Sequence, residues 1–97
     1  MSWTLTRQAD QDLVDIYMYG AREFGIDQAD AYHAELERVF ASLGEFPRLA
    51  RLRTEFSPPV RIHPHKAHLV FYVKQDSGIL IVRVRHGSED WTADVEN

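Results

Sequence analysis

Ninety-seven residues, 44% of them hydrophobic and 27% charged, fit one globular domain with a modest core and do not fit a disordered chain. The absence of cysteine excludes a disulfide framework, thiol chemistry and sulfur-ligated metal sites. The net charge of −4 is laid out in blocks: residues 1–47 carry −6, residues 48–86 carry +6 and residues 87–97 carry −4. The basic middle block could face an acidic partner or be a solvated surface.

In chain order, Trp3, Thr4 and Leu5 alternate as a short strand does, and Thr6 can cap a helix beginning just after it. Apolar steps of three and four at Ala9, Leu13, Ile16, Tyr17, Gly20 and Phe24 predict one face of that first helix. Asp10, Asp12 and Asp15 fall mainly off that face and read as solvated, with the first two placed where the helix dipole favours acids. Gly25 suits the helix end, and Asp27 is expected to cap a second helix with apolar positions Ala29, Tyr32, Leu36, Val39, Phe40 and Leu43. Gly44 and Pro47 should end it. Two amphipathic helices joined by so short a link must run antiparallel.

Residues 48–59 show no clean period and read as a connection. Then the period becomes two. Strands are expected over 60–63 (stopped by Pro64), 67–74 and 79–86, the last two joined by a four-residue loop over 75–78. Ser88 could cap a final helical turn over 89–95. The loop over 75–78 would set Val73 opposite Leu80, Phe71 opposite Val82 and Leu69 opposite Val84, all on the face that meets the helices. The other face would then show His68, Val70, Tyr72, Ile81, Arg83 and Arg85, joined by Arg61 and His63. The longest apolar runs, over 69–73 and 79–82, are too short to cross a bilayer. The first residues lack a signal peptide's basic and apolar regions, so a cytoplasmic protein away from the membrane is expected.

The chain as a whole resembles the ParE branch of the ParE/RelE toxin superfamily. The likeness is carried by Phe24-Gly25 at the end of an acidic helix, Leu43-Gly44-Glu45-Phe46-Pro47 with Arg48-Leu49, Val60-Arg61, residues 68–72 and residues 81–87. It implies an α+β fold over 1–97: an N-terminal strand and an antiparallel helical hairpin packed on a small antiparallel sheet. It also implies the toxin of a type II toxin–antitoxin system, neutralised by a ParD-like antitoxin, a ribbon-helix-helix protein with a disordered C-terminal tail. DNA gyrase is the usual target of ParE members. A ribosome-dependent mRNA endonuclease of RelE type and a degenerate, non-toxic antitoxin-binding relative remain open. Arg85 and Glu89 depart from the family's usual ending, in which a leucine and a later arginine are common.

Candidate site residues divide by chemistry. RNA cleavage needs an acid, a base and cations for the phosphate, and Arg61, His63, His68, Arg83 and Arg85 could supply them. The acidic balance and the two lysines argue instead for a non-enzymatic protein without direct nucleic-acid binding. For binding an antitoxin or target, the candidates are Arg61, Tyr72, Arg83, Arg85, Met18 and Tyr19, with the connection from Arg48 to Phe56. Arg61 and Arg83 should stand on an open face and leave stability unchanged when removed, although Arg83 could instead pair with a helix carboxylate. His63 and His68 should be cross-strand neighbours, but no third ligand is evident, so neither a metal nor another cofactor is expected. Trp3 and Trp91 read as packing residues.

Overall fold

The computed structural model describes residues 2–88. Its order is β1 (Ser2–Leu5), α1 (Arg7–Phe24), α2 (Ile26–Glu45), a 3₁₀ turn (Pro47–Leu49), β2 (Leu52–Arg53), β3 (Val60–His65), β4 (His68–Gln75) and β5 (Gly78–His86). The turn expected over 89–95 and Trp91 lie outside the described residues.

Thr6 caps α1 as its type predicts, its hydroxyl accepting from the Ala9 N–H at 3.0 Å. Gly25 joins the helices alone. Its φ of 97° is open to glycine and strained for other residues, and its N–H closes on the Ala21 carbonyl. Asp27 is therefore not the cap: α2 begins at Ile26, and Asp27 sits in the first turn, where its charge still suits the dipole. The helices run antiparallel, with Gly20 against Ala29 and the Tyr17 hydroxyl donating to Asp30. Phe24 does not share the buried face. It is 65% exposed.

The sheet has the order β1-β5-β4-β3-β2. It is not wholly antiparallel, since β1 pairs in parallel with the first half of β5. A Cβ on Gly78 would collide with the Ser2 carbonyl oxygen, so this close approach requires glycine. The connection contributes β2, which pairs only with Val60 and Arg61. Beyond that pair the outer edge of β3 faces no strand among the described residues, so Pro64 lies within the strand instead of ending it.

The β4–β5 hairpin turns on two residues, Asp76 and Ser77, with Gln75 opposite Gly78. Val73 faces Leu80 as expected, but the register then shifts: Phe71 faces Arg83, Val70 faces Val84 and Leu69 faces Arg85. Val82 is the extra residue of a bulge. The face assignment is reversed as well, except at Val84, which the bulge returns to the helix side as expected. Val70, Tyr72, Ile79, Ile81 and Val84 pack with Leu36, Phe40 and Leu43 of α2 and with Ala9 and Leu13 of α1. Phe71 lies on the far side with Phe56 and Val60, flanked by Leu69, Val73 and Val82. Both faces of the hairpin are apolar, so alternation alone does not choose between them. Trp3 packs edge-on against Phe40 at 5.1 Å, as a packing residue should. No helix of the described residues is long and apolar enough to cross a membrane.

Candidate functional site

The first turns of α1 stitch the irregular half of β5, where β1 has ended. The Thr6 hydroxyl donates to the carbonyl of the bulged Val82 at 2.7 Å. Further along α1, Asp12 accepts the Val84 N–H at 2.9 Å and takes the Arg83 guanidinium as a fork, Nε at 2.8 Å and Nη2 at 2.9 Å. The side chains of Arg83 and Asp12 are only 15% and 11% exposed. Asp12 thus does the work of a missing neighbouring strand, and it is not solvated. Arg83 is the partner of a helix carboxylate and does not stand on an open face. Arg83 lies in the half of β5 that β1 leaves uncovered, where α1 is the neighbour.

Beyond this lock a groove of about 750 Å³ opens between the helical hairpin and the end of the sheet. Ile16, Tyr17 and Phe24 of α1 and Ala29, Tyr32 and His33 of α2 form one wall. Lys66, His68, Arg83, Arg85 and His86 form the other. Tyr19 of α1 also lines the groove at 55% exposure, and outside its lip Val14 and Met18 of α1 and Ile26 at the start of α2 are 48%, 58% and 63% exposed. Tyr19 packs edge-on to Phe24 at 6.4 Å, which makes a continuous apolar margin.

At the sheet side of the lip, polar groups converge on α2. Tyr32 Oη lies 2.6 Å from His68 Nδ1, and its ring stacks on His65 at 6.0 Å. Burial, aided by the Glu35 charge, pushes the Tyr32 hydroxyl up to about 12, so it stays protonated and can donate to His68. Glu35 is held below the usual carboxylate range by hydrogen bonds from Lys66 and then His65. Its Oε1 lies 2.8 Å from Lys66 Nζ and 2.7 Å from His65 Nε2. The clamp fixes the β3–β4 turn, where Lys66 takes a φ of 53°. Desolvation, then the neighbouring His65, lowers the pKa of His63. His63 faces Val70 and not His68, whose cross-strand partner is His65. Among the described residues no three His, Asp or Glu side chains are grouped to hold a metal ion.

The remaining candidates separate. Arg61 sits on the helix side of the sheet, Nη1 donating to the Ala50 carbonyl at 2.7 Å. Tyr72 is fully buried. Its hydroxyl donates to the Pro47 carbonyl at 2.7 Å and accepts from the Ala50 N–H at 3.3 Å. Burial raises its pKa, opposed by the Ala50 bond and the Arg61 charge. Both residues therefore hold the connection in place from inside and do not face solvent on the far side of the sheet. Met18 and Tyr19 are at the surface, and Tyr19 lines the groove with Arg85 and His68. The five residues considered for RNA cleavage are dispersed: His68, Arg83 and Arg85 line the large groove, while His63 lines a shallower one beside α2. Sequence reasoning missed Asp12, Tyr32 and Glu35. For Tyr32 and Glu35 the available signal was the matched spacing of three in Tyr32/Glu35 and His65/His68, and for Asp12 it was the option of a helix carboxylate pairing with Arg83.

Comparison with known proteins gives a consistent result. A family profile described as the ParE toxin of the type II toxin-antitoxin system parDE matches residues 4–91. Toxin ParE1 of Caulobacter vibrioides is 30% identical over 86 residues, covering 89% of this chain and 88% of that protein. Toxin ParE3 of the same organism is 30% identical over 82 residues, covering 84% and 82%. A solved structure, the chromosomal ParDE TA system from P. aeruginosa, superposes with a TM-score of 0.75 at 22% identity, covering 89% of this chain and 95% of that one.

Proposed function

The chain belongs to the ParE toxin family of type II toxin–antitoxin systems, and we propose that it acts in the cytoplasm by binding DNA gyrase and not by cleaving RNA. DNA gyrase is the usual target in this branch of the superfamily. One observation carries the preference for binding. Two of the three arginines a nuclease could use for a phosphate are engaged by the fold itself, Arg83 by Asp12 and Arg61 by the Ala50 carbonyl. A guanidinium held in a carboxylate fork has little left to offer a transition state.

A cognate antitoxin neutralises the toxin by laying an amphipathic segment in the groove between hairpin and sheet. The apolar margin of Met18, Tyr19 and Phe24 supplies area that such a segment buries. The partner expected is a ParD-like protein whose disordered tail folds on binding. Induction of the toxin alone should give filamented cells, an SOS response and cleaved DNA–gyrase complexes while translation continues. Translational arrest within minutes, with mRNA cut at ribosomal A sites, would establish the RelE-type mechanism instead.

A further inference from the structure

The connection between α2 and β3 is built as a display surface. Its inward groups are pinned: the Pro47 carbonyl and the Ala50 N–H by the Tyr72 hydroxyl, and the Ala50 carbonyl by Arg61. Ala50 is 8% exposed. The residues between and beside these anchors turn outward, with Phe46 and Leu49 each at 58% exposure and Leu52 at 43%. Arg48 and Arg51 are interleaved with them and exposed, as is Arg38 on the adjoining surface of α2. Arg38 and Leu49 both line the shallow groove of about 300 Å³ that also holds His63 and Glu35, whose charge is taken up by Lys66 and His65. Among the described residues none of these three arginines has an ion-paired carboxylate. Arg51 lies within electrostatic reach of Glu55, but that acid is bonded to Arg53 at 2.6 Å.

We infer that residues 46–52, with Arg38, dock the toxin's protein target through a folded surface that combines carboxylates with exposed apolar side chains. This rests on the reading of the chain as a toxin that acts by binding. Charge complementarity demands an acidic partner, and arginine's planar fork suits carboxylates. The three apolar side chains favour a protein over a nucleic-acid backbone, which offers them nothing to bury against. A pinned, shallow surface suits a folded partner, because little ordering is left to be done on binding. A disordered antitoxin tail is better served by the deep groove elsewhere on the molecule.

The test is charge reversal at Arg48 and Arg51 together (R48E/R51E), with Leu49→Ala as an uncharged second variant. Both sites are exposed, so melting temperature and co-purification with the antitoxin should match wild type. Growth arrest on induction should be lost, and binding to purified gyrase should weaken at least tenfold, the effect of losing one charge-assisted contact. Arrest at wild-type strength in both variants would overturn the inference. So would loss of antitoxin binding with arrest intact, which would make the surface the antitoxin's. A gel shift with bare duplex DNA, abolished in R48E/R51E, would assign it to nucleic acid. Absence of gyrase–DNA cleavage with wild-type toxin would refute the target named above, whereas the arrest comparison would still test the surface.

Discussion

Replacing Asp12 by alanine removes three hydrogen bonds at once: two to the Arg83 fork and one to the Val84 N–H. Exposed ion pairs contribute about 0–1 kcal/mol, whereas deleting one partner of a buried pair costs about 3–5 kcal/mol. With exposures of 11% and 15% the pair lies near the buried limit. Allowing for residual solvent screening, the expected cost is about 2–4 kcal/mol, a large share of the roughly 5–15 kcal/mol that holds a domain folded. In a domain of about 100 residues that lowers Tm by on the order of 10 °C or more. Arg83→Ala should destabilise by a similar amount, and the double variant by much less than the sum, with a coupling of about 1.5–3 kcal/mol. The assay is chemical denaturation of all four proteins, with m-values checked for constancy. A Tm change under about 3 °C for Asp12→Ala, or additive effects in the cycle, would refute the claim that Asp12 holds the open half of β5.

Three other joints of the fold can be tested in the same way. Gly78→Ala should push β1 off β5, since its Cβ meets the Ser2 carbonyl. Stability should fall by about 1–3 kcal/mol, with faster amide exchange at residues 3–5 than elsewhere; protection equal to wild type would contradict this. Tyr72→Phe leaves Pro47 and Ala50 without their shared partner and should cost about 1–3 kcal/mol in urea unfolding; a neutral result would mean the hydroxyl does not pin the connection. Glu35 has a lowered carboxyl pKa, so its contribution to stability is present above its ordinary value of 4.5 and is lost as pH falls through the folded value. The Tm advantage of wild type over Glu35→Gln should therefore exist at pH 6 and vanish by strongly acid pH; a constant difference would show that the clamp is not electrostatic.

The helices were legible because steps of three and four are unambiguous when one face is apolar. Leu36, Phe40 and Leu43 are buried as their spacing requires, and Thr6 caps as its chemistry requires. The sheet was legible as strands but not as faces. Leu69, Phe71 and Val73 are as apolar as Val70, Tyr72 and Ile81, and the helices cover the second set while Phe56 covers part of the first. The bulge at Val82 carries no glycine or proline to announce it, yet it displaces every later residue of β5. The parallel pairing of β1 is equally silent in sequence. Arg83 and Arg61 were visible as cations, but their partners were not: Asp12 is 71 positions away, one of three similar acids, and the Ala50 carbonyl has no side-chain signature at all. Periodicity gives the side of an element, and long-range pairing decides what that side touches.

The most direct test of action by binding is a gyrase assay in vitro with purified components. Gyrase, relaxed plasmid and ATP would be incubated with the toxin, alone and after premixing with its antitoxin. Stabilised cleaved DNA with lost supercoiling, relieved by the antitoxin and absent with gyrase omitted, is the result predicted. Full supercoiling in the presence of excess toxin, alongside cleavage of mRNA on purified ribosomes by the same preparation, would contradict it.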